Sequence, residues 1–118
     1  MTKKILCIED EGDICLLLDL LLNGKATIVD HVKTLAAAKE FLEKEQPELI
    51  LLDNRLPDGL GVDFIGYIKA NYPGIKIIMI TGVDVSAQDF ALEVGADKFL
   101  SKPFTRAQLQ ESVSHLLN

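Results

Sequence analysis

Leu49-Ile50-Leu51-Leu52-Asp53-Asn54-Arg55-Leu56-Pro57-Asp58-Gly59 is the stretch on which the fold turns. Four apolar residues run without a break, a carboxylate follows, and a Pro-Asp-Gly turn comes next. A strand with one wet face alternates apolar and polar residues. An unbroken apolar run suits a strand covered on both faces, as in a parallel sheet. Similar runs occur at residues 5–8 and 75–80, and less continuous ones at 26–32 and 98–100.

Helical patterns separate these runs. Ile14, Leu17, Leu18 and Leu21 make one apolar stripe. Leu35, Ala38, Phe41 and Leu42 make a second, with Pro47 beyond its end. Phe64, Ile65, Ile68 and Tyr72 make a third, closed by Pro73-Gly74. Phe90, Ala91 and Val94 make a short fourth, stopped by Gly95. Leu109, Val113, Leu116 and Leu117 make the fifth, and Thr105 with Gln108 offers it a capping box. Alternating strands and helices predict an α/β fold: a doubly wound, five-stranded parallel sheet with five helices on its two faces. In such sheets ligands bind beyond the carboxyl ends of the strands, where strand order reverses.

The 118 residues suit one domain with its own core, so residues 1–118 are read as a single domain. Hydrophobic residues are 48% and charged residues 25%, which excludes disordered and fibrous classes. Twelve Lys and Arg against 18 Asp and Glu give a net charge of −6. That balance argues against direct binding to nucleic acid or an anionic membrane. Cys7 and Cys15 lie in apolar stretches and read as buried thiols, not as a disulfide framework. Apolar runs are too short to span a bilayer and no signal-peptide cleavage site is present, so a cytoplasmic location is expected.

Polar residues gather at the predicted strand ends. Glu9, Asp10 and Glu11 follow the first strand, Asp53 the third, and Lys102-Pro103 the fifth; Thr81 ends the fourth. Singly, each has an ordinary role: helix-capping acids, a strand-ending acid, a structural threonine, a solvated lysine. Together, at one sheet edge, they describe a site. Clustered carboxylates repel unless a cation joins them. Hard oxygen donors suit Mg²⁺, or Mn²⁺, rather than zinc. A carboxylate beside such an ion can accept a phosphoryl group, with an ammonium stabilising the transferring charge.

The motifs Ile8-Glu9-Asp10-Glu11, Leu51-Leu52-Asp53-Asn54-Arg55-Leu56-Pro57-Asp58-Gly59, Ile80-Thr81-Gly82, Gly95-Ala96-Asp97 and Lys102-Pro103-Phe104 occur in this order. In them the chain resembles the receiver domain of bacterial two-component response regulators, of the chemotaxis-receiver kind, from Lys4 to Leu117. The resemblance implies a flavodoxin-like sheet of order 2-1-3-4-5. It implies a phosphorylation-activated switch in a phosphorelay, with Asp53 as phosphoacceptor. Glu9, Asp10 and Asp53 would hold Mg²⁺ with the backbone carbonyl of Arg55. Lys102 would contact the phosphate, the Lys102-Pro103 bond would be cis, Thr81 would be the switch hydroxyl and Phe99 the switch aromatic. Gly82 stands where the family keeps a small residue. The implied donor is a histidine kinase or histidine phosphotransfer protein. The output would pass to a downstream protein target or a missing output domain, since the sequence shows no output domain. Such a domain is no enzyme beyond its own phosphoryl transfer and dephosphorylation.

Three departures stand out. Glu9 replaces the commoner Asp, Phe99 the frequent Tyr, and Arg55 puts a cation beside the site. The alternative readings are a receiver-like scaffold that has lost the chemistry and an aspartyl-phosphate hydrolase. The hydrolase would want an acid where Arg55 stands. A nucleotide fold is excluded because Gly59-Leu60-Gly61 has Phe64 where a third glycine should come. Leu16 and Leu20 lie off the first apolar stripe. They are ordinary surface leucines or a docking patch for the phosphoryl donor.

Overall fold

All five residues of Leu49–Asp53 are buried, as a strand covered on both faces must be. The computed structural model describes residues 3–22, 24, 26–82, 92 and 94–117. In chain order these form β1 (Lys3–Ile8), α1 (Gly12–Leu22), β2 (Thr27–Val32), α2 (Leu35–Lys44), β3 (Leu49–Asp53), β4 (Arg55–Leu56) and β5 (Gly59–Leu60). Then come α3 (Gly61–Asn71), β6 (Lys76–Thr81), β7 (Lys98–Ser101) and α4 (Arg106–Leu117). Five strands make one sheet in the order β2-β1-β3-β6-β7, every pairing parallel. Counting only those strands, this is the expected order 2-1-3-4-5.

The two-residue period of a strand divides the core. Leu6, Ile8, Ile50, Leu52, Ile77 and Met79 face Ala38 and Leu42 of α2 and Phe64, Ile65 and Ile68 of α3. Ile5, Cys7, Leu49, Leu51, Ile78 and Ile80 face Leu18 of α1 and Leu109 and Val113 of α4. The sheet is thus wrapped on both sides. The capping box predicted for the last helix is present: the Thr105 amide donates to Gln108 Oε1 at 2.8 Å, and the Gln108 amide to Thr105 Oγ1 at 3.1 Å.

Two expectations change. Leu17 is 41% exposed, while Cys15 beside it is buried. The inward face of α1 is rotated so that Cys15 and Leu18 meet the sheet. The Pro57-Asp58-Gly59 turn is the tip of a small antiparallel hairpin, pairing Arg55 with Leu60 and Leu56 with Gly59. Period and composition could not announce strands of two residues. Phe90 and Ala91 of the predicted fourth helix lie outside the described residues. Gly95, predicted to end it, has φ +121°, a conformation that favours glycine.

Polar ties close the amino-terminal edge of the sheet. The Lys4 amide donates to Glu48 Oε2 at 2.6 Å, the Glu48 amide to the Lys4 carbonyl at 2.9 Å, and the Lys76 amide to the Glu48 carbonyl at 3.1 Å. Asp97 Oδ2 accepts from the Ile77 amide at 2.8 Å and from Lys69 Nζ at 3.2 Å.

Gly61 and Gly66 should respond oppositely to alanine. A Cβ at Gly61 would collide with the Asp53 carbonyl oxygen, whereas at Gly66 nothing lies within 4 Å. Gly61→Ala is expected to cost about 1–3 kcal/mol by overpacking. Gly66→Ala, inside α3, should gain about 0.5–1 kcal/mol. Urea unfolding midpoints that move the same way in both variants would contradict this.

Candidate functional site

Parallel register assembles the site. Ile8 pairs with Leu52, so Glu9 and Asp53 stand one residue beyond the same rung of adjacent strands. The Glu9 amide continues the ladder, donating to the Val32 carbonyl at 3.0 Å. Asp53 pairs with Ile80 and Thr81 with Ser101, so Lys102 follows the last rung at the other side. β1 and β3 are neighbours, and the chain winds outward from them in both directions. This is the switch point where such sheets bind ligands.

Glu9 is 2% exposed and Asp53 5%, the buried charged residues among those described. Asp10 is exposed. Carboxylate oxygens of Glu9, Asp10 and Asp53 lie within 4.8 Å of one another. Lys102 Nζ sits 3.0 Å from Glu9 Oε2, 3.4 Å from Asp53 Oδ1 and 3.6 Å from Glu11 Oε1. The Lys102-Pro103 peptide is cis, as expected.

Charge in this cluster does not balance: Glu9, Asp10, Glu11 and Asp53 face one ammonium. Burial holds the Glu9 carboxyl above the usual range; Lys102 opposes the shift and the Asp53 charge adds to it. Burial likewise raises Asp53, against the pull of Lys102. For Lys102, burial works to lower the pKa, but the Glu9 hydrogen bond and the Asp53 charge leave it raised. The oxygen donors and surplus negative charge fit a small divalent cation such as Mg²⁺, which takes one or two carboxylates and keeps waters.

The other expected positions are placed as follows. Arg55 is exposed in the hairpin beside Asp53. Phe99 is half-buried against the cluster under α2 and α3. Thr81 ends β6, but its side chain lies outside the described part of the structure. Gly82 has room: a Cβ there would stand 3.8 Å from Lys102 Cβ. Leu16 and Leu20 are 62% and 72% exposed.

Three contacts were not foreseen. Cys15 Sγ donates to the Glu9 carbonyl at 3.2 Å. Asn54 binds the start of α3, its carbonyl accepting from the Gly61 amide at 2.7 Å and its Oδ1 from the Val62 amide at 3.0 Å. Asp58 reaches α2. Each joins residues whose proximity only the folded chain creates; Asn54 stands seven residues ahead of α3, beyond the reach of an ordinary N-cap signal.

The family model of the response regulator receiver domain matches residues 5–114. The chain belongs to this family. It is a receiver, a phosphorylation-activated signalling switch. It is 36% identical over 118 residues to the response regulator protein PilR of Pseudomonas aeruginosa, covering 98% of this chain but 26% of PilR. Among solved structures it resembles the receiver domain of a putative Luxo repressor from Vibrio parahaemolyticus, with TM-score 0.92 and 30% identity over 99% of this chain and 91% of that one. It also resembles the beryllofluoride-activated NtrC4 receiver domain dimer, with TM-score 0.92 and 34% identity over 98% and 96% of the two chains. Response regulators work with histidine kinases and output domains. No described helix is long and apolar enough to cross a membrane.

Asp53→Asn should stabilise the metal-free receiver at neutral pH. A carboxyl whose pKa is raised on folding costs nothing below its unfolded value of 3.8, and its cost grows as pH rises through the folded value. In chelator at pH 7, thermal melting of Asp53→Asn is expected several degrees above wild type, with the gap closing under acid. An unchanged or lower melting temperature at pH 7 would contradict it.

Proposed function

We propose that Asp53 is the phosphoacceptor and that Lys102, Thr81 and Phe99 convert its modification into a change of surface. The carrying observation is a buried Asp53 within 3.4 Å of Lys102 Nζ and grouped with Glu9 and Asp10. An Asp53 carboxylate oxygen attacks the phosphorus of a phosphohistidine. The new O–P bond gives an aspartyl phosphate, the P–N bond breaks, and its electron pair stays on the histidine nitrogen. Mg²⁺, or Mn²⁺, held by Glu9, Asp10, Asp53 and the Arg55 carbonyl, would neutralise charge on the phosphoryl oxygens. Lys102 leaves its carboxylate partners to hold a phosphoryl oxygen. The site catalyses this transfer and, with water as acceptor, its own dephosphorylation.

The Thr81 hydroxyl then bonds a phosphate oxygen and Phe99 packs inward. The surface around β7 and α4 changes, and a downstream protein or an output domain reads it. The switch is a population shift, so phosphate must interact better with the active arrangement. The donor is a histidine kinase or histidine phosphotransfer protein. The reading places the chain in the cytoplasm, supported by the free, buried thiols of Cys7 and Cys15.

With Mg²⁺ and a small phosphodonor, intact-mass measurement should show one added phosphoryl group, lost in Asp53→Asn and in chelator. Equal labelling of the variant would remove Asp53 from this role.

The exposed Leu16 and Leu20 on α1 supply an apolar face for the histidine-bearing donor. Replacing both with Lys should slow phosphotransfer from the cognate donor about tenfold or more, the loss of roughly 1.4 kcal/mol of docking energy. Labelling by the small phosphodonor should be unchanged. Equal transfer rates for variant and wild type would end the docking role.

A further inference from the structure

The hairpin of β4 and β5 carries the Arg55 carbonyl on its first rung, yet it has only two rungs. A hairpin this short is marginal in water. Its base is held, because Asn54 binds the Gly61 and Val62 amides. Leu56 packs on the core. The remaining tip residues, Pro57, Asp58 and Gly59, are exposed.

What anchors the tip is α2. Asp58 Oδ1 accepts from the Leu35 amide at 2.8 Å, and Oδ2 from the Ala36 amide at 2.9 Å. These are the first two amides of α2, which have no partner within the helix. The carboxylate also faces the positive end of the helix dipole. Thr34, the local N-cap, takes the Ala37 amide instead, at 3.0 Å. The helix therefore has two caps: one from its own neighbour, and one from the loop that follows Asp53. Gly59 presses on the same place, since a Cβ there would lie 3.0 Å from Leu35 Cδ1.

We propose that Asp58 is a positioning residue for the phosphorylation site. Its two bonds to α2 clamp the tip of the 54–60 loop, as Asn54 clamps its base, and so fix the Arg55 carbonyl relative to Asp53. The clamp makes α2 part of the site's support, although α2 supplies no group to the chemistry. This rests on the reading of Arg55 as a metal-binding carbonyl.

Thr34 provides the control, because Thr34→Ala removes the other cap of α2 without touching the loop. Mg²⁺ affinity would be measured by calorimetry for wild type, Asp58→Ala, Asp58→Asn and Thr34→Ala. Hydrogen exchange of the Gly61 and Val62 amides would be followed in the same proteins without metal or phosphodonor. Asp58→Ala is expected to weaken Mg²⁺ binding roughly tenfold or more, the usual effect of losing a group that orients a ligand, and to speed exchange at both amides. Asp58→Asn, which keeps one carbonyl oxygen, should recover part of each. Thr34→Ala should leave both near wild type. If Asp58→Ala and Thr34→Ala behave alike, or if Asp58→Ala changes neither quantity, the clamp is overturned. A wild-type chain that neither binds Mg²⁺ nor takes phosphate would refute the phosphorylation reading instead, and the exchange rates would still decide the clamp.

Discussion

Two carboxylates almost out of water, Glu9 and Asp53, share the ammonium of Lys102. Buried charge is costly unless it is paired and hydrogen-bonded, and here the pairing is incomplete. The arrangement survives because each group ends or directly follows a strand that the sheet fixes for other reasons. The apolar ladders of β1 and β3 set the separation of the acids, and β6 with β7 sets the height of the lysine. The core supplies the rigidity, and the site takes from it a charge cluster anchored at the strand ends. The surplus of negative charge is the chemical opportunity: in the proposed function a cation relieves it, and a phosphoryl group reorganises it.

The surroundings divide into rigid and adaptable parts. Glu9 is fixed by the ladder to β2, by Lys102 and by the thiol of Cys15 on its carbonyl. Asp10, next in sequence, is exposed and can approach a cation from the solvent side. Phe99 lies only half under cover, so an inward move has apolar surface to gain. The proposed role of Phe99 as the switch aromatic would draw on that uncovered surface.

The sequence was legible where a single physical rule dominated. Unbroken apolar runs gave the parallel sheet, and the positions just past them gave Glu9, Asp10, Asp53 and Lys102. It was less legible where two rules competed or where contacts were distant. Leu17 matched the helical stripe as well as Cys15 did, and only docking against the sheet decided between them. The β4–β5 hairpin has no periodicity to detect. Asp58 looked like an ordinary turn residue, because its partners at Leu35 and Ala36 lie 23 and 22 residues away in sequence.

The polar ties at the amino-terminal edge of the sheet lie at the opposite ends of the strands from the acids. Lys4, Glu48, Asp97 and Lys69 lace the lower rim, far from the acidic cluster. The molecule thus has a structural pole and a chemical pole joined by five strands. On the proposed assignment of the site, variation at the lower pole can lengthen or shorten the life of the folded protein while leaving the life of the signal alone. The two lifetimes are separate quantities, open to separate adjustment within one small domain.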